Sequence, residues 1–293
     1  MKFIRTFQPT LPHPDSEENL QEVISKIQNY DNTKIYNVET KEFSNNISTV
    51  GHNYLKHRFH SYWNSNFNGN KSPKDAWLDD KIMQEVINYR IGLNNSDEIF
   101  DFSLHQIVRG LSARRITISF FKPLLAASIY EHYIGYKEVP VVLDPCCGFG
   151  GRLLGFKSVY PNGIYVGCEP NIETYNELIQ LKNDGGWNDT VEIYNCKFED
   201  FNDIRKNYDL IFTSIPYYDL EIYSNNTVYN SFEDWKSTFI KSIESYHDKK
   251  CYINTPLDLS LKLGWNNIDS YILSNTTHFN KIENIKKEVI IKI

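Results

Sequence analysis

The run Val141-Val142-Leu143-Asp144-Pro145-Cys146-Cys147-Gly148-Phe149-Gly150-Gly151-Arg152 constrains the fold more than any other part of this 293-residue chain. An apolar run of strand length enters a glycine-rich turn, and the turn enters a stretch with helical spacing. Strand, tight turn and helix must therefore follow one another directly. Gly148 and Gly150 permit the turn and the close approach of a ligand, and a helix beginning near Gly151 offers unpaired backbone N–H groups to it. The same alternation continues downstream. β-rich runs at Val141–Leu143, Ile164–Cys168, Val191–Tyr194, Leu210–Thr213, Cys251–Asn254 and Val289–Ile293 are separated by helical segments, which predicts an α/β fold with a parallel sheet covered on both faces. Ligands of such sheets bind beyond the C-terminal ends of the strands.

The first 136 residues read differently. Residues 1–50 are polar, with Pro9, Pro12 and Pro14 and one short helical pattern over Leu20 to Ile27, and form an expected N-terminal arm. Ser72-Pro73 starts a predicted helix carrying Trp77, Ile82, Val86 and Ile87. Further helices are expected after Phe102, ending at Gly110, and from Pro123 through Tyr133. The N-terminal region is thus mainly helical.

Composition excludes whole classes. With 41% hydrophobic and 23% charged residues the chain is neither disordered nor fibrous. The apolar stretch Phe120 to Ile129 is broken by Lys122 and Pro123 and is too short for a membrane span. The N-terminus lacks the pattern of a secretory signal, so a cytoplasmic location is expected. Five cysteines without a C-x-x-C pair predict reduced thiols and no metal centre. Cys146 and Cys147 read as small buried residues rather than nucleophiles, with no neighbouring His or Lys to activate them.

The net charge of −6 lies wholly in residues 141–293, because residues 1–140 carry 16 Lys plus Arg and 16 Asp plus Glu. Two stretches, His52 to Lys74 and Phe102 to Tyr130, contain no acid at all. They hold Lys56, Arg58, Arg114 and Arg115, the candidate contacts to nucleic-acid phosphates. Solvated faces of an Asn-rich sequence are the alternative.

Glu169 lies 19 residues after Gly150, at the end of the next predicted strand, where a carboxylate can accept hydrogen bonds from ribose hydroxyls. A dinucleotide fold would place a third glycine where Leu153 stands, and it leaves Asp144 unexplained. A cofactor bearing a cation explains Asp144 better. Here the chain resembles the class I S-adenosylmethionine-dependent methyltransferases, over roughly residues 117–293, including Ser119-Phe120-Phe121-Lys122-Pro123 ahead of the first strand. The resemblance implies a Rossmann-like, doubly wound, mainly parallel seven-stranded sheet and S-adenosyl-L-methionine as cofactor. It would place Ser119 and Phe120 beside the methionine end, with Asp144, Cys146, Gly148 and Gly150 at the amino acid and turn. Glu169 would meet the ribose, and Phe198 with Glu199 the adenine.

Ser214-Ile215-Pro216-Tyr217, at the end of the fourth predicted strand of the sheet, is similar to the (Asp/Asn/Ser)-Pro-Pro-(Tyr/Phe) motif of amino-methyltransferases. An exocyclic amine is a poor nucleophile because its lone pair is delocalised into the ring. Two acceptors on its N–H groups, here the Ser214 hydroxyl and the Ile215 carbonyl, favour the geometry in which the lone pair faces the methyl group. Tyr217 would stack on the base, with Tyr218 beside it, and Pro216 would hold the turn. Ile215 departs from the motif by lacking the φ restriction of proline. The resemblance implies a DNA base as substrate, adenine N6 or cytosine N4. RNA, a protein amide, or a non-catalytic binding role are the alternatives. Residues 51–116 would then recognise the nucleic acid and residues 117–293 form the methyltransferase domain.

Overall fold

The computed structural model describes residues 19–31, 34–45, 47–67, 71–94, 111, 120–203, 205, 207–216, 221–222, 229–273 and 288–293. Along them run α1 (Leu20–Gln28), β1 (Tyr36–Asn37), β2 (Glu42–Ser44), α2 (His52–Arg58), α3 (Ser61–Asn64), β3 (Asn66–Phe67), α4 (Pro73–Leu78), α5 (Asp80–Asn94), α6 (Pro123–Ile134), β4 (Val141–Asp144) and α7 (Gly151–Val159). They continue with β5 (Ile164–Cys168), α8 (Ile172–Asp184), β6 (Val191–Tyr194), β7 (Leu210–Ser214), β8 (Glu221–Ile222), α9, a helical segment over residues 232–244, β9 (Cys251–Pro256), α10 (Leu257–Leu263), β10 (Ile268–Leu273) and β11 (Glu288–Lys292).

The main sheet has the order β1-β2-β10-β11-β9-β7-β4-β5-β6. Strands β6, β5, β4, β7 and β9 are mutually parallel, and β11 is antiparallel to both β9 and β10. The fold is therefore the expected doubly wound α/β sheet, with two strands more than the expected seven. The addition comes from the arm: β2 pairs in parallel with β10, so β1 and β2 extend the sheet at an edge that would otherwise expose unpaired backbone groups. α1 is also built in. Its apolar residues Leu20, Val23 and Ile27 share one stripe and are buried, and Asn19 caps it by accepting from Glu22 N at 2.9 Å.

Each central strand alternates between two cores. Val142, Tyr165, Leu210, Phe212, Tyr252 and Ile290 join one, with α6, α7 and residues of α1 to α3. Leu143, Val166, Ile211, Cys251, Ile253 and Val289 join the other, with Trp235, Phe239 and Leu263. This two-residue period is that of a sheet buried on both faces. The helix expected from Ser72 is two helices. Ser72 Oγ accepts from Asp75 N as a cap should, but Asp79 breaks the run and accepts from Lys81 N and Ile82 N. The helix expected before Gly110 lies outside the described residues. Among the described residues no helix is long and apolar enough to cross a membrane.

Candidate active site

Strand order reverses direction at β4, with β5 on one side and β7 on the other, so a crevice is expected beyond their C-terminal ends. Register brings the candidate residues to that edge: Asp144 lies opposite Gly167, and Ser214 opposite Asn254. β3 pairs with β8 through Asn66↔Ile222 and Phe67↔Glu221, which ties the N-terminal region to the chain just after the 214–217 loop.

Asp144 does not face an open ligand position. Arg152 donates Nε to its Oδ2 at 2.7 Å and an amino group to its Oδ1 at 3.2 Å. Tyr165 Oη donates at 2.5 Å, Thr213 Oγ1 at 2.8 Å and Cys146 N at 3.2 Å. Five donors fill the acceptor positions of the carboxylate, which is 0% exposed. The cation expected to explain Asp144 is thus the chain's own Arg152, whose guanidinium also bonds the Cys146 carbonyl and lies 5.3 Å from the Phe121 ring centre. Asp144 locks the turn to β5, β7 and the first turn of α7. The sequence held a signal for this: a cation in the first turn of a helix opposes the helix dipole and requires a nearby acid.

The turn itself does form a cradle. Gly148 has φ +55°, and a Cβ built on it would meet no atom of the described residues within 4 Å, so among them its backbone faces open space. Gly148 N donates to Glu169 Oε2 at 3.0 Å, and Asn171 N donates to Oε1 at 2.9 Å. Among the described residues each Glu169 oxygen thus accepts one hydrogen bond and keeps a second lone pair. Burial pushes the Glu169 carboxyl up to about 7, against the two backbone donors that lower it. Burial also raises the Cys146 and Cys147 thiols well above the ordinary range, with Asp144 adding to the effect, so neither is an activated nucleophile. Gly150 follows at φ +73°, and Gly151 lies so close to the chain before α6 that a Cβ would stand 1.9 Å from the Phe121 carbonyl oxygen.

Phe120 is buried beside the turn, its ring 4.9 Å from that of Phe149 and 4.7 Å from that of Tyr62. Phe198 is buried after β6, and Glu199 follows it in a short 3₁₀ turn, with Oε2 buried and lacking a partner among the described residues. At the end of β7, Ser214 Oγ accepts from Asn254 Nδ2 at 3.2 Å. Ile215 is buried and its N–H reaches the Asn254 carbonyl at 3.4 Å, while Pro216 is partly exposed. The β9 strand thus supplies contacts that shape the loop where the first proline of the motif is missing.

The two basic candidates of α2 separate. Arg58 Nη1 pairs with Asp184 Oδ2 at 2.5 Å and the guanidinium lies over the Tyr54 ring, so the side chain expected to contact phosphate is paired with an acid from α8. An acid-free stretch in sequence is not acid-free in space. Lys56 lies 5.9 Å from the Tyr62 ring centre, and burial lowers its pKa. Ser119, Arg114, Arg115, Tyr217 and Tyr218 lie outside the described residues. Tyr165, Thr213, Asn254 and Glu288 carry no role in the sequence pattern, because each meets its partner across strands.

No family model matches this chain, and no curated protein matches it. Among solved structures it is similar to the YcgJ protein from Bacillus subtilis, at 13% identity over 45% of this chain and 50% of that one, with a TM-score of 0.32. The chain thus spans half the length of that relative. It is also similar to the METTL16 MTase domain, at 12% identity over 59% and 68% of the two chains, with a TM-score of 0.39. A third is the human methyltransferase 10 domain containing protein, at 12% identity over 70% and 93%, with a TM-score of 0.39.

Proposed function

We propose that this chain is an S-adenosylmethionine-dependent methyltransferase acting on the exocyclic amino nitrogen of a DNA base, adenine N6 or cytosine N4. The observation that carries the reading is the convergence, at the reversal point of one parallel sheet, of an open Gly148 turn, a Glu169 carboxylate with acceptor capacity left, and the Ser214-Ile215-Pro216 loop. Packing alone does not ask for these together.

The Gly148 turn and Glu169 would hold the amino-acid and ribose parts of the cofactor, and Phe120 would pack beside its methionine end. When bound, S-adenosylmethionine supplies a methyl group on cationic sulfur, whose S–C bond breaks with its electrons left on sulfur as the substrate nitrogen forms the new N–C bond. Ser214 Oγ accepts from Asn254 and retains a lone pair for one substrate N–H. The Ile215 carbonyl would take the other. The nitrogen, made cationic by the transfer, gives up one of its two protons to water. A base in a duplex must leave the stack to reach this edge, and residues 51–67, tied through β3 and β8 to the chain after the loop, would contact the flanking strand. Arg114 and Arg115 belong to the same proposed recognition region.

Incubation of the full chain with methyl-labelled S-adenosylmethionine and, separately, DNA, RNA and total protein tests the reading. Label in DNA that digests to N6-methyladenine or N4-methylcytosine is expected. Label confined to RNA or protein, or to none of the three, overturns it.

A further inference from the structure

Ser214 is one end of a polar chain that crosses three strands. Asn254, opposite it on β9, donates Nδ2 to Ser214 Oγ at 3.2 Å and to Glu288 Oε2, on β11, at 3.4 Å. Both hydrogens of the carboxamide nitrogen are thereby directed at oxygen atoms. The other atom of that amide, Oδ1, is buried and has no hydrogen-bond partner among the described residues, in a side chain only 2% exposed. A buried acceptor left unpaired is costly, and a native fold keeps one for a reason.

We infer that Asn254 is a further catalytic residue, whose Oδ1 accepts an N–H of the substrate nitrogen beside Ser214. The inference rests on the methyl-transfer reading above and sharpens it. In that reading the second acceptor is the Ile215 carbonyl, on a loop whose motif proline is missing. Asn254 instead offers a side-chain acceptor on a central strand, where position is held by the sheet. An acceptor already stripped of water and oriented before substrate arrives needs no reorganisation in the transition state. It would select substrates with a planar –NH₂ group, since a ring nitrogen without hydrogens leaves Oδ1 unpaired.

The test is single-turnover methyl transfer to DNA at saturating cofactor by the full chain and two variants. Asn254→Leu keeps the approximate shape and removes both donor and acceptor, and Asn254→Asp keeps an acceptor oxygen. The expected maximal rate falls about 10²-fold in Asn254→Leu, on the scale of losing one preorganised polar group, with cofactor affinity unchanged and the unfolding midpoint unchanged or raised. Asn254→Asp should remain at least about tenfold faster than Asn254→Leu, as an acceptor role requires. Wild-type rate in Asn254→Leu, or equal loss in both variants, overturns the inference while leaving the methyl-transfer reading intact. Loss of rate that follows loss of stability and cofactor affinity also overturns it, as a structural role. Absence of transfer by the wild-type chain removes both.

Discussion

Arg152 donates two hydrogen bonds to Asp144 within the turn that the sequence singles out, with the side chains 5% and 0% exposed. The pair joins strand end to helix start across eight residues, and it engages the carboxylate that the sequence pattern assigns to a cofactor. Removing one partner leaves the other charge buried alone. Asp144→Ala should therefore destabilise the chain by about 3–5 kcal/mol. In the double variant Asp144→Leu with Arg152→Met the loss should be smaller than the sum of the losses in Asp144→Leu alone and in Arg152→Met alone, the wild type completing the cycle. Urea unfolding of the four proteins measures the coupling, and additive losses would mean that the two charges do not depend on each other.

Glu169 gives a pH dependence whose sign follows from its environment. Burial raises its pKa to about 7, so the protonated form is favoured in the folded protein. Its contribution to stability is complete below the ordinary value of 4.5 and is lost as pH rises through about 7. Ligand binding runs the other way, because hydroxyl donors prefer the carboxylate. Affinity for S-adenosylmethionine should rise between pH 6 and 8, approaching about tenfold per unit on the acid side, with proton release on binding. Calorimetry in two buffers of different ionisation enthalpy measures this, and Glu169→Gln should flatten the profile.

The two neighbouring glycines of the turn should fail differently. Gly148→Ala places a methyl group in open space at φ +55°, so it costs only about 1–2 kcal/mol of backbone strain, while cofactor affinity falls further because the cradle is filled. Gly151→Ala drives a Cβ to within 1.9 Å of a backbone carbonyl oxygen and should destabilise the whole packing of α7 against the chain entering α6. Thermal unfolding with and without cofactor separates the two.

Ser214→Ala removes the hydroxyl that Asn254 bonds and that the substrate nitrogen would meet. The maximal methyl-transfer rate should drop by about 10²-fold or more, with cofactor affinity preserved. A normal rate would move the chemistry away from this loop.

Arg58→Ala should leave the salt dependence of DNA binding unchanged, since its guanidinium already pairs with Asp184. Replacing Arg114 and Arg115 should flatten that dependence instead. Filter-binding titrations at several salt concentrations distinguish the two outcomes.

The sequence by itself determined what depends on neighbours along the chain. Val141 to Arg152 specified strand, turn and helix because glycine tolerance of positive φ and apolar runs act locally. The α1, α6 and Ser72 helix signals were legible for the same reason, and alternating runs gave the parallel sheet and the edge where Gly148, Glu169 and Ser214 meet. Only the tertiary structure decided who pairs with whom. Strand pairing carried β2 to β10 from more than 220 residues away in sequence, so an arm reads as polar linker until its partner edge exists. Side chains separated by many residues meet only when register aligns strand ends, which is how Asp144 acquired Tyr165 and Thr213, Arg58 acquired Asp184, and Ser214 acquired Asn254 and, through it, Glu288. Charge and hydrogen-bond satisfaction are settled in three dimensions, and no spacing in one dimension records them.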